Sequence, residues 1–432
     1  MLKKIVIKLL SWLVLTRLSK LLVLTAIRLV YFYQKYDRDV CKKTLLILNR
    51  ERFEQDLNSL ALDSRIRLLI LPSRVQTAVN SLFLDKTQSY QVNRYIEPEP
   101  EVERLVNFIS SVIIALDKKY DLCGVLTCSF YYRQDMPYQF ASLQTKVPFY
   151  VLFKEYLKDD CIADQSIKKY RQRNYKFYGE TIFSANLNIQ NILLNAEVCK
   201  EDQISIVGSP RFDDIFSNAA VSIKSRQKIV TLFSFLHSSG GILVNDDPIE
   251  GNFFTDDKNI GFYNLFEQVH VAIAELAVTN PDVVYYIKTK WAGPWHERII
   301  STVFQSSGID ISKQHNIILD YQEDAQSLIK RSSVVVAFNS TTVLEASLLK
   351  KNVIIPIFCE AKTKYFDTNV LYTQYLESLT TASSKEDLKD KIEVFATEQV
   401  YNKVPDQMIS KFLHANDGKS GERIVDEIIR KD

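Results

Sequence analysis

From residue 43 onward the hydrophobic positions alternate between two rhythms. Short apolar runs rich in branched and aromatic residues occur at Thr44–Leu48, Arg67–Leu71, Asp121–Cys128, Phe149–Phe153, Thr181–Ala185 and Gln203–Val207. A second series follows at Ile229–Phe235, Val283–Ile287, Ile317–Leu319, Val334–Phe338 and Val353–Phe358. Runs of this kind are the pattern of strands buried on both faces. Between them the period changes to that of helices, at Val102–Leu116, Tyr138–Gln144, Asn188–Leu194, Ile260–Thr279 and Asp324–Lys330. Strand and helix in regular alternation predict an α/β chain with parallel, doubly wound sheets. The small, polar Ser217–Ala220 divides the two series. The expected organisation is an N-terminal segment 1–35, a first doubly wound domain 36–220, a second 221–415 and a closing helix 416–432. Two such domains would set their strand carboxyl ends across a cleft.

The most informative stretch is Ser332–Phe358. Its first strand breaks at Asn339 and Ser340, and a helix follows over Thr341–Lys350. Thr342 and Glu345 stand at capping-box spacing, which predicts the helix start. Lys350 and Lys351 fall in the expected last turn, with Asn352 as its left-handed stop. Three small hydroxyl residues at a helix start form a natural seat for a phosphate. The structural alternative is that Ser340, Thr341 and Thr342 only cap their helix and Glu345 completes the box.

Before residue 35 the pattern differs. Met1–Tyr33 is rich in Leu, Ile and Val, and residues 1–35 carry seven basic residues and no acid. A spanning helix would bury Arg17 and Lys20 near its centre at about 2.5–3.5 kcal/mol each, and its apolar residues return only about 0.3–0.6 kcal/mol apiece. A segment lying on the membrane instead lets the basic side chains reach anionic head groups. The expectation is a hydrophobic basic helix, peripheral on the cytoplasmic face, with a single span as the alternative. No small-residue cleavage site follows an apolar core, which argues against a secretory signal.

Charge and cysteine usage narrow the classes. The net charge is +2, so removing those seven leaves about −5 on the rest, a poor footprint for a nucleic-acid partner. The six cysteines form no CxxC pair and fit reduced, structural thiols. Asp246/Asp247 and Asp256/Asp257 read as a solvated loop, part of an expected surface lid at Asn245–Asn259, and no metal site is expected.

Several motifs resemble one family. GSPRFD at 208–213 resembles the G-x-P-R-x-D segment of GT-B glycosyltransferases that build bacterial surface and capsular polysaccharides. The same segment occurs in CDP-glycerol glycerophosphotransferases. FNSTTVLEA at 338–346 looks like that family's strand, hydroxyl-rich turn and helix with an inward acid. NDGKSGERIVDEI at 416–428 is similar to the closing helix of the glycerophosphotransferases, and PFYVLFKEY at 148–156 looks like a lysine–glutamate strand end of surface-carbohydrate proteins.

The resemblance implies two Rossmann-like domains, a nucleotide-sugar donor, a lipid-linked or glycan acceptor, and no metal or further cofactor. Ser340, Thr341 and Thr342 would hold the donor phosphates, Lys288 and Lys290 would offset charge on the leaving group, and Glu345 would accept from a ribose hydroxyl. Ser209 and Arg211 belong to the same donor set; their alternative is a turn with an Arg211–Asp213 ion pair. Glu155 is the expected base for the acceptor hydroxyl, with Asp135 its rival. Related enzymes often carry a histidine–proline pair where this chain has Ile287-Lys288-Thr289-Lys290, a departure at the leaving-group segment. Other readings of the same architecture are a polyol-phosphate transferase, a sugar-nucleotide 2-epimerase, and a non-catalytic scaffold of a polysaccharide assembly complex.

Overall fold

The computed structural model describes residues 43–84, 93–96, 98–217, 228–237, 259, 261–289, 294–398, 404–415 and 417–432. The N-terminal basic segment, the acid pairs of the expected lid and Lys290 lie outside these residues. Among the described residues no helix is long and apolar enough to cross a membrane.

The chain forms two compact units. The first contains the described residues up to Tyr156, with Gln165–Ser217 and Ser410–Asp432; the second contains Leu157–Asp164 and the described residues after Ser217 as far as Ile409.

In the first unit six parallel strands, β1 (Lys43–Ile47), β2 (Ile66–Ile70), β3 (Leu122–Thr127), β4 (Phe149–Leu152), β5 (Thr181–Ser184) and β6 (Ile204–Ile206), run in the order β2-β1-β3-β4-β5-β6. The crossovers include α1 (Glu54–Ala61), α2 (Ser73–Phe83), α3 (Pro100–Tyr120) and α4 (Met136–Thr145). α3 shows why its sequence is helical. Pro100 opens it, Glu101 and Glu103 lie in its first turn, Lys118 and Lys119 lie in its last, and left-handed Asp121 stops it. Its buried stripe is Val102, Leu105, Val106, Ile109, Ile113 and Leu116. The sheet order reverses between β1 and β3, so the loops after those two strands diverge at that point.

In the second unit β7 (Ile229–Phe233), β8 (Val284–Lys288), β9 (Ile317–Asp320), β10 (Val334–Ala337), β11 (Asn352–Pro356) and β12 (Thr381–Ala382) take the order β12-β11-β10-β7-β8-β9. This is the dinucleotide-fold order, with its switch between β7 and β10. The helices α5 (Tyr263–Thr279), α6 (Pro294–Ser306) and α7 (Thr342–Leu348) connect parts of it. β12 has no counterpart in the sequence pattern, because two residues are too short to show a period.

The start and stop of α7 differ in detail from expectation. Its cap position is Thr341, with no side-chain cap bond, while Ser340 Oγ accepts the Thr342 amide at 3.2 Å. Thr341 Oγ1 donates to Glu345 Oε1 at 3.1 Å. The left-handed stop falls on Lys350 (φ 56°), and Asn352 begins β11. The Asn352 side-chain amide donates to the carbonyls of Phe395 and Glu398, so it ties β11 to the C-terminal end of the helix Lys385–Thr397 rather than ending α7.

The two terminal motifs of the first unit meet. Asp213 of GSPRFD accepts from the amides of Ser420 (3.0 Å) and Gly421 (2.8 Å) and from Ser59 Oγ (2.6 Å). It thereby caps the C-terminal helix Ser420–Lys431 from a distant part of the chain. Arg211 does not pair with Asp213; its guanidinium reaches Asp56 at 3.0 Å. Close approach explains the glycines: a Cβ on Gly421 would stand 2.3 Å from Ser59 Oγ, and one on Gly208 2.5 Å from Ser420 Oγ. The helix so anchored sends Ile424, Val425 and Ile428 into one apolar cluster with Leu45, Ile47, Phe53, Leu57 and Leu60.

Two consequences are measurable by urea unfolding of the first unit. Ile428→Ala should cost about 2–5 kcal/mol through the cavity it leaves. Asp213→Ala should cost about 1–3 kcal/mol by orphaning buried amides, and an unchanged midpoint in both variants would contradict this joint.

Candidate functional site

Each unit presents polar groups at the carboxyl ends of its strands, where the sheet order reverses. In the second unit that edge carries the turn after β10. Asn339 is left-handed (φ 47°), and its side chain donates to the Asn369 carbonyl (2.7 Å) and accepts from the Leu371 amide (2.9 Å). Tyr372 is also left-handed; its hydroxyl donates to the Ser340 carbonyl (2.9 Å), and its amide donates to Asp159 (2.9 Å). The turn is therefore clamped by a strap from 369–372. Ser340 and Thr341 are half-buried and Thr342 is buried. Ser340 Oγ donates to Thr342 Oγ1 at 2.9 Å, so these hydroxyls are ordered among themselves. A phosphate arriving there would compete with Ser340 Oγ for the Thr342 amide. Glu345 is buried, 3% exposed, with Thr341 Oγ1 on its carboxylate.

β7 lies beside β10, and its end supplies a group that spacing did not signal. Ser234 Oγ lies 2.9 Å from both His270 Nε2 and His296 Nε2. His270 Nδ1 faces the Phe266 carbonyl at 2.7 Å and so carries the proton, which leaves Nε2 to accept from the serine. His296 Nε2 then donates to the same hydroxyl. Burial pushes His270 down to about 3 and His296 down to about 4, so both rings are neutral. His296 is packed rather than solvated.

Lys288 closes β8, in register with Phe233 of β7 and Asp320 of β9. Its ammonium donates to the Tyr321 carbonyl at 2.9 Å, and desolvation lowers its pKa. Two strand spacings, about 10 Å, separate β8 from β10. Ser209 and Arg211 belong to the first unit, where Ser209 is buried and Arg211 is held by Asp56.

In the first unit the edge is built around Asp135. This carboxyl is 1% exposed and accepts from Asn49 Nδ2, from Gln76 Nε2 (3.1 Å) and from Thr127 Oγ1 (2.6 Å). Burial outweighs those three hydrogen bonds and pushes it up to about 7. Asn49, left-handed at φ 52°, heads the turn Arg50–Arg52 after β1, and the Asp135 amide donates to the Tyr132 carbonyl at 2.9 Å. Glu155, past the end of β4, is different: its side chain is 42% exposed and lies 4.0 Å from Lys154 Nζ. Among the described residues no cluster of ligands could hold a metal ion.

No family model matches the sequence, and no curated protein matches it. Solved structures do match in fold. UDP-GlcNAc 2-epimerase from Neisseria meningitidis, bound to UDP-GlcNAc, gives a TM-score of 0.50 at 13% identity over 90% of this chain and 100% of its own. UDP-GlcNAc 2-epimerase from Methanocaldococcus jannaschii gives 0.49 at 13% identity, covering 90% and 99%. A glycosyltransferase from Rickettsia africae gives 0.47 at 14% identity, covering 90% and 100%.

Two buried groups set checkable expectations. Ser234→Ala should cost about 1–3 kcal/mol by leaving two buried imidazoles short of a partner, read by urea unfolding. For Asp135 the folded value lies above that of an unfolded aspartate, so the folded state holds the extra proton between about pH 4 and 7. Its contribution to stability is therefore lost as pH rises through that window. Relative to wild type, Asp135→Asn should gain up to about 1.4 kcal/mol per pH unit there and level off above it. A difference independent of pH would show that Asp135 ionises normally.

With two six-stranded parallel sheets, flanking helices and this likeness in fold, the chain has the two-domain α/β architecture of the GT-B type.

Proposed function

We propose that the protein is a metal-independent glycosyltransferase that moves a sugar from a uridine diphosphate donor to a glycan acceptor of the surface-polysaccharide kind. The observation that carries this reading is the position of Ser340–Thr342 after β10, at the switch point of a dinucleotide-type sheet. Ligands of open α/β sheets bind outside the carboxyl ends of the strands at that point. The Neisseria meningitidis neighbour, solved with UDP-GlcNAc, supports uridine as the base and a nucleotide sugar as the donor.

The chemistry asked of the chain is modest. An acceptor hydroxyl attacks the anomeric carbon, its C–O bond forms as the bond to the diphosphate breaks, and uridine diphosphate leaves with the electron pair. The hydroxyl proton passes to a carboxylate. Glu155 has the exposure this requires, whereas Asp135 is enclosed by donors of its own unit. The polar turn after β10 would stabilise charge on the departing diphosphate, and Glu345 would serve the ribose from within the helix. A lipid-linked acceptor and a peripheral membrane position are part of the proposal and rest on the basic, apolar residues 1–35.

A second reading is a non-hydrolysing 2-epimerase, favoured by the epimerase whose fold matches over 90% of the chain. The two separate on one assay. An epimerase converts UDP-GlcNAc with no acceptor present, whereas a transferase leaves it unchanged until an acceptor is added.

The donor site is tested by thermal shift with uridine diphosphate and UDP-GlcNAc. At 100 times its dissociation constant a ligand adds about 2.7 kcal/mol of stability. Ser340→Ala combined with Thr341→Val should remove that gain while leaving the unliganded melting temperature within a few degrees. A full shift in the double variant would place the nucleotide elsewhere.

A further inference from the structure

The carboxyl edge of the first unit carries a second arrangement that the donor site does not use. The Arg52 guanidinium lies 4.5 Å from the centroid of the Tyr132 ring, and Lys154 Nζ lies 5.9 Å from the same centroid. Arg52 is exposed, and Tyr132, Lys154 and Glu155 are half-buried. The three segments come from the ends of β1, β3 and β4, the point at which this sheet reverses its order.

The arrangement is braced from behind. Asp135 holds Asn49, the residue that begins the Arg50–Arg52 turn, and its own backbone closes the turn carrying Tyr132. Arg50 is occupied by Glu54, which leaves Arg52 as the cation of that turn directed at the ring. Burial, and then the charge of Glu155, push the Tyr132 phenol up, so the ring is neutral. Two cations and one carboxylate give a net positive face with a single proton acceptor. A guanidinium and an ammonium beside one ring offer donors that an anion can accept from, with the ammonium already 4.0 Å from Glu155.

We propose that this face binds the acceptor as a phosphorylated sugar, with Arg52 and Lys154 holding the phosphoryl group and Glu155 facing the hydroxyl that is glycosylated. The proposal rests on the transferase reading and adds to it the chemical class of the acceptor. A phosphoryl group supplies the charge that two cations at one ring call for, and a hydroxyl one sugar ring away supplies the partner for the carboxylate.

The test is calorimetric titration of the full chain with glucose 1-phosphate, with glucose, and with phosphatidic acid vesicles, all in saturating uridine diphosphate so that the donor site is filled. Glucose 1-phosphate should bind, glucose should not, and Arg52→Gln or Lys154→Gln should each weaken binding at least tenfold. For wild type, raising sodium chloride from about 50 to 500 mM should weaken it severalfold, a readout that needs no variant. Failure of glucose 1-phosphate to bind, or equal binding by both variants, overturns the proposal. Binding of the vesicles alone, lost in the variants, overturns it in favour of a lipid head group. Uridine diphosphate affinity is measured separately in every variant. If it is absent while the sugar phosphate still behaves as expected, the donor reading fails and the acceptor role is overturned with it, leaving a sugar-phosphate site and no transferase.

Discussion

The first unit depends on burying one carboxyl group where a parallel sheet brings its loops together. Parallel strands deliver all their outgoing chain ends to one edge, and those ends carry backbone and side-chain polar groups that have to be matched. In the first unit Asp135 meets that need for three segments at once, accepting from Asn49 after β1, Gln76 in α2 and Thr127 at the end of β3. An unpaired carboxylate at this depth would cost several kcal/mol, roughly what an isolated buried charge demands. The three donors offset much of that, and the remainder appears as the elevated proton affinity. The second unit solves the same problem with neutral groups. Ser234 satisfies two imidazoles, and Asn339 exchanges hydrogen bonds with the backbone of 369–371. The first edge thereby holds a carboxyl raised to about 7, and the second holds two imidazoles lowered to about 3 and about 4.

The contrast between Asp135 and Glu155 follows from environment alone. Both are carboxylates just beyond strand ends of one sheet. One is sealed among its own unit's donors, and the other keeps 42% of its side chain in solvent beside a lysine. A sealed carboxylate orders its neighbours, and an exposed one is free to meet a substrate proton. The same distinction holds for the lysine and arginine expected at the donor site. Lys288 is turned to the Tyr321 carbonyl, and Arg211 to Asp56 within the first unit.

Much of the strand pattern was legible because runs such as Val334–Ala337 and Phe149–Leu152 are buried on both faces and leave an uninterrupted apolar signature. The order of those strands was not, since periodicity carries no record of which strand lies beside which. The polar anchors were hidden for a related reason. Asn49 and Asp135 lie 86 residues apart, and no spacing rule joins them. GSPRFD and the 416–428 stretch were recognisable separately, yet their contact, spanning 207 residues between Asp213 and Ser420, appears only in three dimensions. The hydroxyl turn after β10 falls at a strand end, as its pattern predicts; its cap position is Thr341 rather than Thr342, with Thr341 Oγ1 donating to Glu345.

The return of the C-terminal helix to the first unit has a consequence for biogenesis. Ile424, Val425 and Ile428 fill the core of the first unit, but they are translated only after the whole second unit has been made. Domains generally fold as they leave the ribosome, N-terminal parts first. Here the first unit cannot complete its core until the second has been synthesised, so the apolar residues that Ile424, Val425 and Ile428 cover stay uncovered through that interval.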